Sequence, residues 1–192
     1  MNPDLFRGDL VRLTSEEPRA MAEAYSRWNQ DSEFWRLMAS NPPQLVSVKS
    51  AEKWLSEHLE PESVKYFSFG IRTLSDDRLV GDIGLDEPNW TNRYSFVGIS
   101  IGDRQDWGKG YGTDAMRLLL RYAFTELNLQ QVSLTVFEYN PRAIRSYQKV
   151  GFKEEGRIRG LLHREGQRWD LLFMGILKSE WENTSKENPD GS

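Results

Sequence analysis

The spacing of apolar residues changes about one third of the way along the chain, from Val64 onward. In the first third, apolar residues recur every three to four positions, which is the spacing of one face of a helix. Beyond that point they alternate with polar residues, which is the pattern of a half-buried strand. The first part predicts a short strand and three helices, at residues 10–13, 19–28, 34–38 and 50–58. The alternating part predicts an antiparallel meander of three strands, at residues 66–71, 79–85 and 94–101.

The second half of the chain predicts a crossover between parallel strands. An amphipathic helix at residues 114–127 follows the meander, and an alternating strand at residues 132–137 follows that helix. A strand, a helix and a strand of these lengths are typical of a parallel pair with a right-handed crossover. The remaining elements are a helix at residues 142–150 and two strands at residues 152–162 and 168–177. The predicted fold class is therefore α/β, with a mixed sheet flanked by helices.

Composition narrows the class of function. The chain has 192 residues, and we expect residues 1–182 to form one domain and the polar residues 183–192 to form a flexible tail. A net charge of −4 argues against nucleic-acid binding, which needs a basic face. The lack of cysteine excludes disulfides, thiolate nucleophiles and cysteine-based zinc sites. Neither a secretory signal nor a membrane-spanning run is evident, so we expect a cytoplasmic monomer or homodimer with no membrane partner.

A glycine-rich turn stands between the meander and the crossover helix. Residues 105–110 read Gln-Asp-Trp-Gly-Lys-Gly, and Gly112 follows two positions later. Glycines allow positive φ and close approach by a ligand, and the unpaired N–H groups of the following helix start favour an anion. The spacing matches neither the dinucleotide fingerprint G-x-G-x-x-G nor the Walker A loop. The turn by itself therefore predicts a phosphate site of unspecified kind.

A second motif follows the next strand. Asn140 and Pro141 are typical of a helix start, and Tyr147 lies two turns further along on the same helix face. The helix then ends at Gly151 and Phe152. The patterns Q-x-x-G-x-G and N-x-x-A-x-x-x-Y-x-x-x-G-F together resemble the acetyl-CoA-binding segments of the GNAT superfamily of N-acetyltransferases. The resemblance covers about residues 10–177. Within the superfamily, this sequence is similar to the branch of Rim-type ribosomal-protein N-terminal acetyltransferases and spermidine acetyltransferases.

The resemblance implies a co-substrate and the residues that bind it. In this family the parallel strands separate at a bulge, for which Gly98 is suited, and acetyl-CoA lies in the gap. Asn140 would bind the pantetheine arm in addition to capping its helix, and Lys109 would lie near the pyrophosphate unless it is only a solvated lysine. No metal is implied. The implied binding residues are Ile99, Ile101, Gln105, Trp107, Gly108, Lys109, Gly110, Tyr111, Gly112, Thr113, Asn140, Arg142 and Tyr147.

The resemblance also implies a reaction. Acetyl would pass from acetyl-CoA to a primary amine by direct attack in a ternary complex, because no cysteine can carry the acetyl group. Tyr147 would be the catalytic residue, as a proton donor or hydrogen-bond donor to the leaving thiolate, unless it is only a buried aromatic residue. The acceptor would be a protein or peptide N-terminus or a small amine. The alternative is a non-catalytic acetyl-CoA-binding sensor or interaction module.

The sequence departs from its family on the acceptor side. Many relatives carry a glutamate where this chain has Phe96, and a histidine where it has Trp169. A lysine-like ammonium has a pKa of about 10.4, so some base must still take its proton. The candidates for a base acting through water are Asp82, Glu138 and Asp170. Five tryptophans either line an acceptor pocket or pack in the core, which is the expected role for most: Trp28, Trp35, Trp54, Trp90 and Trp169.

Overall fold

A computed structural model of the chain describes residues 4–58 and 66–187. Its strands are Val11–Thr14 (β1), Phe67–Thr73 (β2), Leu79–Leu85 (β3), Tyr94–Ile101 (β4), Gln131–Phe137 (β5), Lys153–Arg164 (β6) and Gln167–Leu177 (β7). Its helices are Pro18–Trp28 (α1), Ser32–Met38 (α2), Val48–His58 (α3), Tyr111–Thr125 (α4), Pro141–Lys149 (α5) and Lys178–Glu187 (α6). Helix α6 includes residues 183–187 of the predicted tail, and residues 188–192 lie outside the described part.

The described strands form one sheet in the order β1-β2-β3-β4-β5-β7-β6. Strands β4 and β5 are parallel and are connected through α4, whereas the other neighbouring pairs are antiparallel. The predicted mixed sheet with a crossover helix is thus confirmed. The bounds of β3 and β4 agree with the prediction, and the other predicted elements differ by a few residues at their ends, where local patterns are weakest. Helix α6 was not predicted, because its residues are mostly polar.

Strand β4 separates from β5 after three residue pairs. Tyr94, Ser95 and Phe96 pair with β5, and the ladder ends there although both strands continue. From Val97 onward β4 remains paired with β3 in an unshifted register, so no extra residue is inserted at Gly98. The predicted separation is present, but it begins after Phe96 rather than at a register-shifting bulge. A gap between the carboxyl halves of parallel strands is where ligands bind in open sheets.

The core explains why α4 lies close to the gap. Ala115, Leu119 and Ala123 recur on one face of α4 and are fully buried against the sheet. Small residues on this face let the helix axis approach the strands, so the start of α4 is held beside the end of β4. A second buried cluster, which includes Trp28 and Phe34, packs α1, α2 and α3 together. Of the helices in the described part of the chain, none has the length and apolar character of a membrane span.

Candidate functional site

The gap between β4 and β5 opens into a groove of about 560 Å³. Helix α5 and the turn before α4 line it, and α2 contributes Phe34, Leu37 and Met38. Gln105 and Lys109 do not line the groove. The other predicted binding residues all do: Ile99, Ile101, Trp107, Gly108, Gly110, Tyr111, Gly112, Thr113, Asn140, Arg142 and Tyr147.

The turn before α4 contains two glycines in the left-handed region. Gly108 has a φ of 77° and Gly110 a φ of 93°, which residues with a Cβ rarely adopt. Gly110 is the N-cap residue of α4 and supplies no capping side chain. The first N–H groups of α4 consequently lack a cap from this residue, and the helix dipole adds about half a positive charge there. This end of the groove is suited to an anion such as a phosphate.

An ion-pair network supports the turn from behind. The Asp106 carboxylate is inaccessible to solvent and accepts hydrogen bonds from two Arg78 nitrogens, each at 3.1 Å. It also accepts one from Lys109 Nζ at 3.2 Å. These hydrogen bonds, chiefly those from Arg78, hold the pKa of Asp106 below its ordinary value. The Lys109 ammonium is thus directed at Asp106, and it stabilises the turn rather than lining the groove.

Trp107 and Arg142 connect the turn with α5. The guanidinium carbon of Arg142 lies 3.9 Å from the centroid of the Trp107 ring, a cation–π contact. Trp107 Nε1 donates a hydrogen bond to the carbonyl oxygen of Ile101 at 2.7 Å, which fixes the ring over the end of β4. Burial lowers the pKa of Arg142, but a guanidinium stays charged at neutral pH. The groove therefore carries a positively charged group beside the glycine turn.

The main-chain groups of β4 alternate in direction. The N–H of Asp86 donates to the carbonyl of Phe96 at 2.8 Å, and the N–H of Gly102 donates to the carbonyl of Val80 at 2.9 Å. Even-numbered residues of β4 consequently face β3, and the odd-numbered residues face the gap. Ile99 and Ile101 are odd-numbered, so their main-chain groups face the groove. An extended ligand there can pair with them like an added strand.

Asn140 and Tyr147 come from α5. Asn140 Oδ1 accepts a hydrogen bond from the N–H of Ala143 at 3.2 Å, so the predicted N-cap is confirmed, and its amide nitrogen can still donate to a ligand. The Tyr147 ring packs 6.0 Å from the Phe152 ring, centroid to centroid. Burial raises the pKa of Tyr147 to about 12, and no hydrogen bond within the described residues offsets this effect. Tyr147 is therefore both a packed aromatic residue and a protonated hydroxyl in the groove.

The three candidate bases are hydrogen-bonded to neighbouring groups of the protein. Asp170 accepts hydrogen bonds from the N–H of Gly160 at 2.8 Å and from Arg157 at 3.3 Å, and Glu138 accepts one from the N–H of Asp170 at 3.0 Å. Asp82 accepts hydrogen bonds from the hydroxyls of Ser100 and Tyr25, and burial raises its pKa. None of these three carboxylates lines the groove. The acids in the described part of the chain also form no cluster suited to a metal ion.

Asp86 does line the groove, and sequence analysis missed it. It is the first residue after β3, and burial raises its pKa. A usable signal was present, because the correct bounds of β3 and β4 place Asp86 directly across from Phe96. Sequence analysis also missed Phe34, Leu37 and Met38 of α2, whose packing over the gap depends on tertiary structure.

The five tryptophans do not line the groove in the described structure. Trp28 is 1% exposed and belongs to the cluster that joins α1, α2 and α3, so core packing is confirmed for this residue. Trp169 packs edge-on against Tyr139, with ring centroids 5.7 Å apart. Trp54 and Trp90 are 54% and 51% exposed, so they belong neither to the core nor to the groove.

The fold and the groove define a class of protein. A parallel strand pair that separates beside a glycine turn, with asparagine and tyrosine on the facing helix, is the arrangement that the resemblance predicted for an acyl-CoA-dependent N-acyltransferase. The family model of the acetyltransferase (GNAT) domain matches residues 10–153. The chain therefore belongs to the GNAT acetyltransferase family and is an acetyl-CoA-dependent N-acetyltransferase.

Relatives within this family carry names with different acceptors. A spermidine N(1)-acetyltransferase of Vibrio cholerae is 29% identical over 140 residues, which is 73% of this chain and 79% of that protein. YdaF of Bacillus subtilis, named as a candidate ribosomal N-acetyltransferase, is 28% identical over 172 residues, or 88% of this chain and 91% of YdaF. A solved structure of the Vibrio cholerae spermidine N-acetyltransferase with CoA and spermine has a TM-score of 0.78 at 26% identity, and the match covers 90% of this chain and 98% of that one.

Proposed function

We propose that this protein transfers acetyl from acetyl-CoA directly to a primary amine while both are bound in the groove. The observation that carries the proposal is that one groove contains both the glycine turn and a carboxylate, Asp86, at the opposite end of β4. Phe96 and Ile101 are five residues apart, which corresponds to roughly 16 Å of extended strand. This length leaves room for an extended pantetheine arm between the phosphates and the acceptor.

Acetyl-CoA would bind to the start of α4, to α5 and to β4. The N–H groups of residues 108–113 would bind the pyrophosphate, and Arg142 would add a positive charge. The main-chain groups of Ile99 and the N–H of Ile101 would pair with the pantetheine arm, and the Asn140 amide would donate to one of its carbonyl oxygens. These interactions would fix the thioester near Tyr147. Positioning of this kind supplies much of the rate in a reaction between two bound molecules.

Tyr147 would act by hydrogen bonding to the leaving sulfur. The amine nitrogen attacks the carbonyl carbon, the carbon–sulfur bond breaks, and the sulfur leaves as a thiolate with a pKa of about 8.5. Since burial raises the pKa of Tyr147 to about 12, full proton transfer to the thiolate would be uphill by roughly 5 kcal/mol. A donated hydrogen bond stabilises the thiolate without this cost, and solvent then protonates the sulfur.

The acceptor would be a primary amine attached to an apolar group. Phe34, Leu37 and Met38 line the groove together with Phe96, whose side chain is 37% exposed. A polyamine bound along this surface would place its additional ammonium groups against apolar side chains, which is unfavourable. An apolar N-terminal residue of a peptide, or a small apolar amine, fits this wall better.

The test is an acceptor screen on the purified protein, monitored by thiol release and by product mass. The panel contains short peptides with apolar or polar first residues, small aryl and alkyl amines, and spermidine. We expect apolar amines to give the highest kcat/KM, and initial rates to give intersecting double-reciprocal lines, as a ternary complex requires. Parallel lines would contradict direct transfer, and a preference for spermidine would contradict the apolar acceptor. Acetyl-CoA binding without thiol release for any amine would favour the sensor alternative.

A further inference from the structure

We infer that Asp86 is the base that accepts the N–H proton of the acceptor amine. This inference rests on the proposed direct transfer, and it assigns a role to a residue just beyond the end of β3.

Two carboxylates line the groove in the described structure, Asp86 and Asp106. The negative charge of Asp106 is compensated by Arg78 and Lys109, and these partners hold the pKa of Asp106 below its ordinary value. A carboxylate paired in this way is a weak base and is directed away from an incoming amine. Asp86 is the remaining groove carboxylate with basic capacity.

The position of Asp86 matches the place where an acceptor can approach. Its N–H donates to the carbonyl of Phe96 at 2.8 Å, so the two residues are directly opposed on neighbouring strands and their side chains share one face of the sheet. Gly98 lies two residues beyond Phe96 and therefore belongs to the same face. A Cβ placed on Gly98 would meet no atom within 4 Å, so the space beside Asp86 and Phe96 is open. An amine in that space lies within reach of the carboxylate directly or through one water.

The surroundings of the Asp86 carboxylate increase its basicity. Among the described residues it forms no ion pair, and burial is the cause that raises its pKa. No charged group of the facing elements contributes to this shift. A carboxylate whose pKa moves toward neutral pH is a better proton acceptor while remaining largely ionised.

The proton balance is simple. The acceptor ammonium first loses one proton to solvent. As the neutral nitrogen bonds to the thioester carbonyl carbon, its next N–H proton passes to the Asp86 carboxylate, and the carbon–sulfur bond breaks with the electron pair leaving on sulfur. The thiolate takes a proton from solvent, and Asp86 returns its proton to solvent before the next turnover.

The first test compares Asp86→Asn with Glu87→Gln. Both changes remove one negative charge, but Glu87 does not line the groove. We expect Asp86→Asn to lower kcat about 100-fold with unchanged acetyl-CoA affinity, and Glu87→Gln to leave kcat within twofold. The wild-type kcat should rise with pH as Asp86 ionises, and Asp86→Asn should lose that rise. The decrease in kcat caused by Asp86→Asn should also be smaller for acceptor amines of low pKa, because their nitrogen releases its proton to water more readily.

The second test moves the carboxylate across the strand pair. In the double variant Asp86→Asn/Phe96→Glu, the new side chain projects from the directly opposed position on the same face. We expect the kcat of the double variant to be at least tenfold higher than that of Asp86→Asn. A purely structural role of Asp86 would not produce this recovery. If wild type turns over and Asp86→Asn is equally active, only this inference is overturned. If wild type releases no thiol with any amine, the proposed transfer and this inference both fail.

Discussion

The two ends of the groove are built in different ways. The donor end, which comprises the turn at residues 104–113 and helix α5, consists largely of main-chain groups that are held by polar contacts behind them. Asp106 is bound by Arg78 and Lys109, and the hydroxyl groups of Thr113 and Ser146 are 2.7 Å apart. The acceptor end, which comprises α2 with Asp86 and Phe96, consists of side chains on a fixed scaffold. A main-chain site constrains its sequence tightly, whereas a side-chain site can change its ligand without changing the fold.

The same contrast is visible in two aspartates. Asp106 at the donor end has its pKa lowered by Arg78 and Lys109, and it serves structure. Asp86 at the acceptor end has its pKa raised by burial, and it is available for chemistry. One residue type thus has its pKa shifted in opposite directions at the two ends, because one carboxylate has cationic partners and the other is affected by burial alone.

The largest expected effect is at the donor turn. Gly110→Val places a branched side chain at a φ of 93° and 3.0 Å from Leu10 Cδ1, so the turn must distort. We expect acetyl-CoA affinity by calorimetry to fall about 100-fold, or roughly 3 kcal/mol. Gly166→Val is the matched control, since Gly166 has a φ of 76° in the turn between β6 and β7. Equal affinity losses in the two variants would mean that backbone strain, and not the phosphate site, is responsible.

The next effect is on the chemical step. Tyr147→Phe should lower kcat by about 10- to 100-fold with little change in acetyl-CoA affinity, because the thiolate loses a hydrogen bond. Since the pKa of Tyr147 is about 12, the wild-type rate should show no change from its ionisation below about pH 10. Tyr122→Phe is the control, because Tyr122 packs among Phe6, Phe67 and Phe69. A Tyr147→Phe enzyme with wild-type kcat would remove this residue from the mechanism.

A smaller effect concerns the support behind the donor turn. Asp106→Asn should lower the free energy of unfolding by about 2 kcal/mol at pH 7, because it weakens hydrogen bonds between a buried carboxylate and two cations. The folded pKa of Asp106 lies below its unfolded value, so this stabilisation is present above about pH 4 and is lost as pH falls through the folded pKa.

Urea unfolding of wild type and of Asp106→Asn from pH 7 to pH 3 measures the difference in their free energies of unfolding. Asp103→Asn is the control, since the Asp103–Arg27 pair is 3.9 Å long and Asp103 is only half-buried, and we expect a change below about 0.5 kcal/mol. A constant gap between wild type and Asp106→Asn from pH 7 to pH 3 would contradict the assigned ion pairing.

The smallest effect is expected at the cation beside the turn. Arg142→Ala should weaken acetyl-CoA binding about tenfold, and added salt should narrow the difference from wild type. Arg142→Lys should retain only part of the affinity, because an ammonium does not stack on Trp107 as a guanidinium does at 3.9 Å. Arg159→Ala on β6 is the control for loss of a surface charge. Affinity that is insensitive to Arg142 would restrict donor binding to main-chain groups.

Local patterns predicted much of the fold. Alternation located β3 and β4 to the residue, and the helical repeat located the crossover helix, because sheet and helix periods are properties of a few consecutive residues. Most residues of the two predicted donor motifs do line the groove, since each motif depends on neighbours along one turn or one helix. The direction in which the Lys109 ammonium points was not predictable from the sequence. Its partner Asp106 is held in place by Arg78, which is 28 positions away from that aspartate.

The sequence by itself therefore determined the family and the order of the elements from β1 to β7, because these depend on short-range backbone geometry and on motifs with fixed spacing. Only the tertiary structure decided where β4 leaves β5 and which side chains of α2 reach the gap. These features depend on strand register and helix packing between segments that are far apart in the chain. The acceptor end of the groove is built almost entirely from such contacts.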